Sequence, residues 1–522
     1  MSAYKRVLYR VAVTSRLTFL GLSLIANVVI PDHKSDGFLA PDLDNVANES
    51  LLDRVVWFLF GGLMRWDAQH FLQIARSGYS YHTSFAFFPL FPLAVRSLSV
   101  IVQFILGLNV LTSLLLSSVL LNSVLFVEAT ILLYQLSLAV LKHELFAFHS
   151  AIFFCLSPAT VFFIAPYSES LFAFCTFKGM LNYATNKMVP SVLWFALSTF
   201  VRSNGVINAG YPLHFQWFCI FKICELFSTN RIHISTKIFK SIFLAVLSCG
   251  IVILPFFIFQ AYSYYLLCMR NVVNHSQAMM RFSETTGIPL VGMPAAITCN
   301  GSISMPYFEL QRTYWDVGFL MYYKWKQLPN FLLAAPVITI VLYYGLKFLS
   351  NNKESIVIPK RLYALTGPPM SIGLPPKVLV YMVQAVYLTI TCALCINVQV
   401  TTRMIASSSP IIYWIASSQF MTKDNSFVVF RSSSFRSTDD IKPSGVLIST
   451  YFMNSALGIE LLSNRRAITP NIELERIVTV GSVQCTTAVK TLLQKRNGAA
   501  LHARRNSRMT KKTKLLPKDY GV

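Results

Sequence analysis

The sequence predicts an all-α polytopic membrane protein, and three observations carry that prediction. Hydrophobic residues fill 54% of the 522 positions and charged residues only 13%, with a mean hydropathy of +0.53. A soluble domain carries about 25% charged residues. Apolar runs of about 20 residues recur, the length at which an α-helix crosses the hydrocarbon core. The runs are continuous, unlike the short alternating segments of an outer-membrane barrel.

Net charge is +23, from 45 Lys+Arg against 22 Asp+Glu. The basic residues fall mostly in connecting loops and the tail, where they suit membrane orientation and lipid headgroups better than nucleic acid. Ten cysteines suggest no disulfide framework. Cys392 and Cys395 form a CxxC inside an apolar run and read as small buried hydrophobes. The first apolar segment is long and lacks a small-residue cleavage site, so a retained signal-anchor is expected.

Taken in order, Lys5, Arg6 and Arg10 put the N-terminus in the cytosol, and the first crossing is expected over 11–30. The loop over 32–84 has no excess of positive charge and goes to the far side. Within it, 51–64 is apolar enough to lie in the interface, with Trp57 as an anchor. Asp42 and Asp44 read as solvated turn residues. Further crossings are expected over 85–106, 110–141, 146–165, 171–183, 189–206, 241–266, 331–349 and 378–400. That gives about nine, in a range of about 8–10. Residues 222–240 and 350–376 are basic and read as cytosolic, while 267–330 forms a second long far-side loop. The chain thus divides into a membrane domain, 1–423, and a tail, 424–522, rich in Ser, Thr and Arg, basic and largely disordered. The Asn-x-Ser sequons at Asn48, Asn274 and Asn300 fall in the far-side loops. They are glycosylation candidates and agree with an endoplasmic reticulum topology.

The stretch Arg65-Trp66-Asp67-Ala68-Gln69-His70-Phe71-Leu72 stands at a membrane–water boundary. On a helix, Trp66, His70 and Gln73 share one face, and Asp67, His70 and Ile74 the adjoining one. A carboxylate and an imidazole one turn apart, beside an interfacial Trp, can handle a proton next to a lipid-borne substrate. Ionisable groups at membrane depth are costly and point to function. Glu169, after the Pro166-Tyr167 break, and Arg202, in Arg202-Ser203-Asn204-Gly205, are such groups; both also read as a buried structural pair. Glu128 reads equally as a protonated carboxyl hydrogen-bonded between helices. Tyr314-Trp315-Asp316 and Tyr322-Tyr323, followed by Lys324 and Lys326, form either an aromatic belt or a seat for a lipid phosphate. The sequence has no P-loop or Gly-rich dinucleotide motif, and no ligand cluster argues for a metal.

Several of these stretches, in matching order over roughly 1–420, resemble the GPI mannosyltransferase 2 family. They are Trp66-Asp67 with His70-Phe71-Leu72 and Gly78-Tyr79, then Ala86-Phe87-Phe88-Pro89. Ser157-Pro158-Ala159, Ala165-Pro166-Tyr167-Ser168-Glu169-Ser170, Arg202-Ser203-Asn204-Gly205 and the segment from Tyr314 to Pro336 follow. The resemblance implies an endoplasmic reticulum enzyme of C-type glycosyltransferase architecture, with its active site facing the lumen. It implies transfer of mannose from dolichol-phosphate-mannose to the first mannose of the glycosylphosphatidylinositol (GPI) precursor, through an α-1,6 linkage. Asp67 takes the place of the acidic catalytic residue in the first luminal loop. Trp66, Gln69, His70, Tyr167, Glu169, Arg202, Asn204 and Lys324 are the candidate substrate-binding residues, and Arg202, Lys324 or Lys326 is the candidate to neutralise the departing phosphate. A β-linked donor and α-linked product make inverting displacement the simplest chemistry, with a base for the acceptor hydroxyl.

Expected partners are the donor, the mannosylated GPI-precursor lipid, the membrane and optionally a small membrane subunit. No nucleic acid and no cofactor beyond the donor are expected; dependence on a divalent metal is left open. The chain departs from the family at His82, where an acidic residue is usual, and at Asp316, where Asn is usual. Its C-terminal hydrophobic helix is not recognisable after Asp424. The competing classes are a transporter or flippase, which calls for internal repeats and midplane charges, and a non-catalytic subunit of a membrane complex.

Overall fold

The computed structural model describes residues 3–30, 38, 49–226, 231–269, 275–293, 299, 305–352, 374 and 376–423. The predicted tail, 424–522, and the sequons at Asn48, Asn274 and Asn300 lie outside the described residues. Among those described, the chain is helical throughout, with no strand and one isolated β-bridge.

Helix α1 runs Ala3–Val29, α2 Leu51–Phe60, α3 Asp67–Ser77, α4 Leu90–Leu106 and α5 Val110–Leu141. Then come α6 Glu144–Cys155, α7 Glu169–Ala184, α8 Met188–Val201, α9 Gly210–Leu226 and α10 Arg231–Tyr264. The short α11 (Gln277–Thr286) and α12 (Pro306–Trp315) precede α13 (Leu328–Asn351), α14 (Leu379–Cys395), α15 (Thr401–Ser408) and α16 (Ile411–Lys423). Four helices are long and apolar enough to cross a membrane: Ala3–Val29, Val110–Leu141, Ser235–Met269 and Trp325–Asn351. This agrees with an all-α membrane protein.

The start of α5 shows how local chemistry sets these boundaries. Asn109 caps α5, its Oδ1 accepting from Thr112 N–H at 2.8 Å. Asp53 closes a capping box with Ser50 at the start of α2 and also accepts from Asn109 N–H at 2.9 Å. One buried carboxylate therefore satisfies backbone donors at two helix starts, where N–H groups have no intrahelical partner. Between them, α4 packs on the first half of α5, Phe91 and Val95 against Leu114 and Leu115. Its far end meets α2 through Val102, Val56 and Leu108, and Arg96 donates to the carbonyls of Ala75 and Arg76 at the end of α3.

The centre of the bundle is α5, α6, α7 and α16. Phe126 and Phe154 stack at 4.7 Å, and Trp414 Nε1 donates to Ser137 Oγ at 2.7 Å. Between membrane helices water supplies no hydrophobic drive, so close packing of small residues and interhelical hydrogen bonds do the holding. The α7–α8 contact shows this: Gly179 has no room for a side chain against Phe195, and Ser191 Oγ donates to Gly179 O at 2.9 Å. On α1, the buried Arg16 donates to Thr160 O at 3.3 Å and Cys155 O at 3.4 Å, and stacks over Phe126 at 3.7 Å. It thereby satisfies a carbonyl left open at the end of α6. Glu128, by contrast, lies exposed on the same outer stripe of α5 as Leu120 and Val124, so it is not hydrogen-bonded between buried helices.

Two segments distant in the chain are joined directly. Tyr81 and Leu290 form the β-bridge, His82 N–H donates to Pro289 O, and Val291 N–H to Ser80 O. A disulfide links Cys268 to Cys299, where the sequence suggested no framework. Cys392 is buried as expected and lies against the Met404 sulfur at 3.7 Å, whereas Cys395, at the end of α14, is only partly buried.

Candidate active site

Asp67 is the first residue of α3. The residue before it, Trp66, holds φ +50° and ψ −120°, outside the region side chains readily adopt. Such a backbone costs about 1–3 kcal/mol and persists only where its surroundings enforce it. Here Gln69 N–H donates to Trp66 O at 3.0 Å, Gln69 Nε2 to Met64 O at 3.0 Å, and Tyr167 OH to Arg65 O at 3.1 Å. The turn swings the Asp67 carboxylate to the open end of α3, where the helix dipole favours negative charge.

Glu169 has the equivalent place on a second helix, as the first residue of α7. The chain leaves α6 at Cys155 and regains α-helix only at Glu169. The irregular backbone between is buried in protein, where broken helix is tolerated, and Asn122 Nδ2 satisfies the Ala165 and Tyr167 carbonyls. The Pro166–Ser170 break thus lies beside the Trp66 turn.

Two arginines join these carboxylates. Arg202 Nη1 lies 2.6 Å from Glu169 Oε1 and donates to Ser168 Oγ at 3.1 Å. Arg403, on α15, lies 2.7 Å from Asp67 Oδ2 through Nη2 and 3.6 Å from Glu169 Oε1 through Nη1. The result is a row, Asp67–Arg403–Glu169–Arg202, of two anions and two cations. Glu169 is fully buried, whereas the Asp67 side chain keeps 24% exposure. Burial pushes the Asp67 pKa up, but Arg403, then His70 and Arg202, outweigh it and hold the group below the usual carboxylate range. Burial acts against the Arg403 charge, and Asp67 and Glu169 outweigh it, so that guanidinium stays protonated.

Arg403 escaped the sequence reading. It follows the 378–400 span and has no acidic neighbour along the chain; the one available signal was a cation standing between that span and the apolar run starting at Ile411. The Arg202 turn supports it from below: Asn204 Nδ2 donates to Ser408 Oγ on α15 at 3.0 Å, and Ser203 Oγ bonds Tyr307 OH at 2.7 Å. Gly205 fits because a side chain there would lie 2.5 Å from the Thr199 backbone.

His70 lies one turn past Asp67, sandwiched between Phe38 at 4.2 Å and Phe87 at 4.6 Å, with Trp315 edge-on at 6.1 Å. Burial lowers its pKa to about 4, against the opposing pull of Asp67, so it is neutral at pH 7. Its Nδ1, both amide atoms of Gln73, and side-chain atoms of His82, Thr83 and Ser84 are buried without hydrogen-bond partners among the described residues. Trp66 is exposed. Lys324 is paired with Asp316 at 2.6 Å, both about half exposed. The arrangement therefore brings Asp67, Tyr167, Glu169, Arg202 and Asn204 into one connected network with Arg403. Gln69 and His70 brace its rim, while Lys324 belongs to a separate surface pair. No group of three or more His, Cys, Asp or Glu suited to a metal occurs among the described residues.

A partly exposed carboxylate at a helix start, set in a balanced row of charges above spanning helices, can take a proton from a hydroxyl. Comparison with known proteins supplies the family. The family described as Mannosyltransferase (PIG-V) matches residues 5–452. A GPI alpha-1,6-mannosyltransferase 2 of Cricetulus griseus is 39% identical over 423 residues, covering 78% of this chain and 82% of the relative. The protein of that name from Homo sapiens is 38% identical over 427 residues, covering 78% and 83%. A GPI mannosyltransferase 2 of Drosophila pseudoobscura pseudoobscura is 33% identical over 469 residues, covering 87% and 98%. No solved structure matches. The chain belongs to the PIG-V mannosyltransferase family.

Proposed function

We propose that this protein transfers mannose from dolichol-phosphate-mannose to the first mannose of a GPI-anchor precursor. The product carries the α-1,6-linked second mannose, made at the lumenal face of the endoplasmic reticulum membrane. The observation that carries the reading is the Asp67 carboxylate, ionised, partly exposed and fixed at the open end of α3 beside Arg403. The names of the relatives supply the substrate class.

In this reading the acceptor hydroxyl gives its proton to Asp67 as its oxygen bonds the mannose C1. The C1–O bond to phosphate breaks on the opposite face, and its electron pair leaves with the dolichyl phosphate. One displacement inverts a β-linked donor into an α-linked product. A positioned base contributes about 10²–10⁴-fold. Trp66, exposed beside Asp67, is suited to stack on a sugar ring, with His70 behind it in the aromatic wall. Lys324, on the exposed surface, suits a lipid headgroup rather than the reacting phosphate.

The lumenal assignment is supported by the Cys268–Cys299 bond, since disulfides persist in oxidising compartments. The shorter apolar helices complete crossings around the four long ones, for about nine spans in a range of about 8–10.

The test uses microsomes from cells lacking the endogenous second-step enzyme, supplied with radiolabelled dolichol-phosphate-mannose. The reading expects wild-type protein to convert the one-mannose precursor to a two-mannose product sensitive to an α-1,6-specific mannosidase. Absence of that product, with the protein present and folded, overturns it.

A further inference from the structure

The row of charges holds a contradiction: a carboxylate locked to a guanidinium is a weak base, yet Asp67 is the group placed to take the acceptor's proton. We infer that Arg403 is the receptor for the donor's phosphate, and that its move from Asp67 to the phosphate is what frees Asp67 to act as base. The inference rests on the proposed use of a lipid-phosphate sugar.

The geometry of Arg403 carries the argument. A guanidinium has five N–H donors. One is spent on Asp67 at 2.7 Å, and another reaches Glu169 only at 3.6 Å. Nε–H is buried without a hydrogen-bond partner among the described residues. Burying a cation with unspent donors is costly unless an anion takes them up. A phosphodiester offers oxygens in the geometry a guanidinium binds through two parallel N–H bonds. The other arginine is not free for this task, because Arg202 already holds the fully buried Glu169 at 2.6 Å and Ser168. The plane of Arg403 is kept from wandering by the rings of Phe162 and Tyr167, 5.1 and 5.6 Å from its central carbon. Its side chain is 14% exposed and that of Asp67 24%, so both reach the open rim.

The electrostatics then follow. Without donor the row is balanced, two negative groups against two positive. A phosphodiester adds one negative charge in a low-dielectric setting and takes the cation that stabilised the Asp67 carboxylate. Both changes favour the protonated form of Asp67, which is what a base must be able to reach. The groups facing Asp67 are Arg403 on α15, His70 on α3, Tyr167 before α7, Glu169 on α7 and Arg202 after α8. His70 stays neutral, and Glu169 stays committed to Arg202, so Arg403 is the group whose partner can change. Base strength thus appears only when donor is seated, in step with the bond changes given above: the acceptor proton goes to Asp67, and the phosphate leaves with the C1–O electron pair against Arg403.

The experiment measures mannose transfer by the full chain in nanodiscs across pH, with donor varied at saturating acceptor. For wild type, kcat/KM for donor reports Asp67 before donor binds, and kcat reports it afterwards. The inference expects the acidic limb of kcat to lie above that of kcat/KM by roughly one pH unit or more, the size of shift a neighbouring cation imposes. In Arg403→Gln the donor KM rises roughly 10- to 100-fold, as for loss of one charge-assisted hydrogen bond. In the same variant the two limbs draw together, because Asp67 lacks its cation in both states. Arg403→Lys, which keeps the charge but not the fork, gives a smaller KM increase. Coincident limbs in wild type overturn the inference without any variant. So does a donor KM in Arg403→Gln within about twofold of wild type, where a lost hydrogen bond to a charged group predicts far more. A wild type that transfers no mannose fails the proposed function instead, and the two failures are thereby told apart.

Discussion

Arg403 Nη2 lies 2.7 Å from Asp67 Oδ2, joining the start of α3 to a short helix near the end of the described chain. Around that contact the site is built from helix starts, one buried carboxylate and a turn that admits only glycine. Each of these makes a measurable prediction.

Glu169 is fully buried and depends on Arg202 at 2.6 Å. Arg202→Met leaves that charge with only the more distant Arg403, and breaking such a pair costs about 3–5 kcal/mol. The expected result is a large drop in thermal midpoint in detergent, partly restored in the double variant Arg202→Met/Glu169→Leu. A double variant no more stable than the single one contradicts the pairing.

Gly205 packs on the Thr199 backbone at 2.5 Å from where a Cβ would stand. Gly205→Ala forces the Arg202–Asn204 turn away from α8, costing about 1–3 kcal/mol as overpacking does. Because Asn204 holds Ser408 on α15, transfer activity falls with stability. Unchanged melting in the variant contradicts this packing.

Arg16 is buried on α1 and donates to the carbonyls of Cys155 and Thr160. Arg16→Met keeps much of the volume and removes the guanidinium donors, taking the Arg16 bond from Thr160 O and leaving Cys155 O with Ser15 Oγ alone, at about 1–3 kcal/mol. A lowered thermal midpoint is expected, with donor KM unaffected in the protein that remains folded.

His70 ties stability to pH. Its folded pKa, near about 4 because burial disfavours the charged ring, lies below the unfolded value of about 6.5. Between those values the unfolded chain binds more protons. The contribution is therefore complete above the unfolded pKa and is lost as pH falls toward the folded one, by up to about 1.4 kcal/mol per pH unit. His70→Phe suits the sandwich between Phe38 and Phe87 and removes the titration. Thermal melts of the variant between pH 6.5 and 4.5 are expected to fall less steeply than wild type, a window set by the two pKa values. Equal slopes contradict the assignment.

Much of this was legible in the sequence. Asp67 and Glu169 stood out because an ionisable group at an apolar boundary is costly, and Arg202 because it broke an apolar run. The alternative reading of Glu169 and Arg202, a buried pair, matches their 2.6 Å contact. The partner of Asp67 was not legible, since long-range contacts leave no mark on local periodicity and α15 has only eight residues. Hydropathy likewise ran 85–106 together as one apolar stretch, whereas helix α4 begins only at Leu90, after the short 3-10 turn that ends at Ala86. For Glu128, composition reported its apolar surroundings but not the direction it faces.

The most direct test of the account compares wild type with Asp67→Asn, a near-isosteric change that keeps a hydrogen-bond acceptor for Arg403 and removes the base. Both proteins are assayed at equal amount for transfer from dolichol-phosphate-mannose to the one-mannose GPI precursor. The account predicts a turnover loss of about 10²–10⁴-fold, the contribution of a general base, in a protein that melts as a folded chain. A variant that transfers mannose at the wild-type rate would contradict the role of Asp67 at its centre.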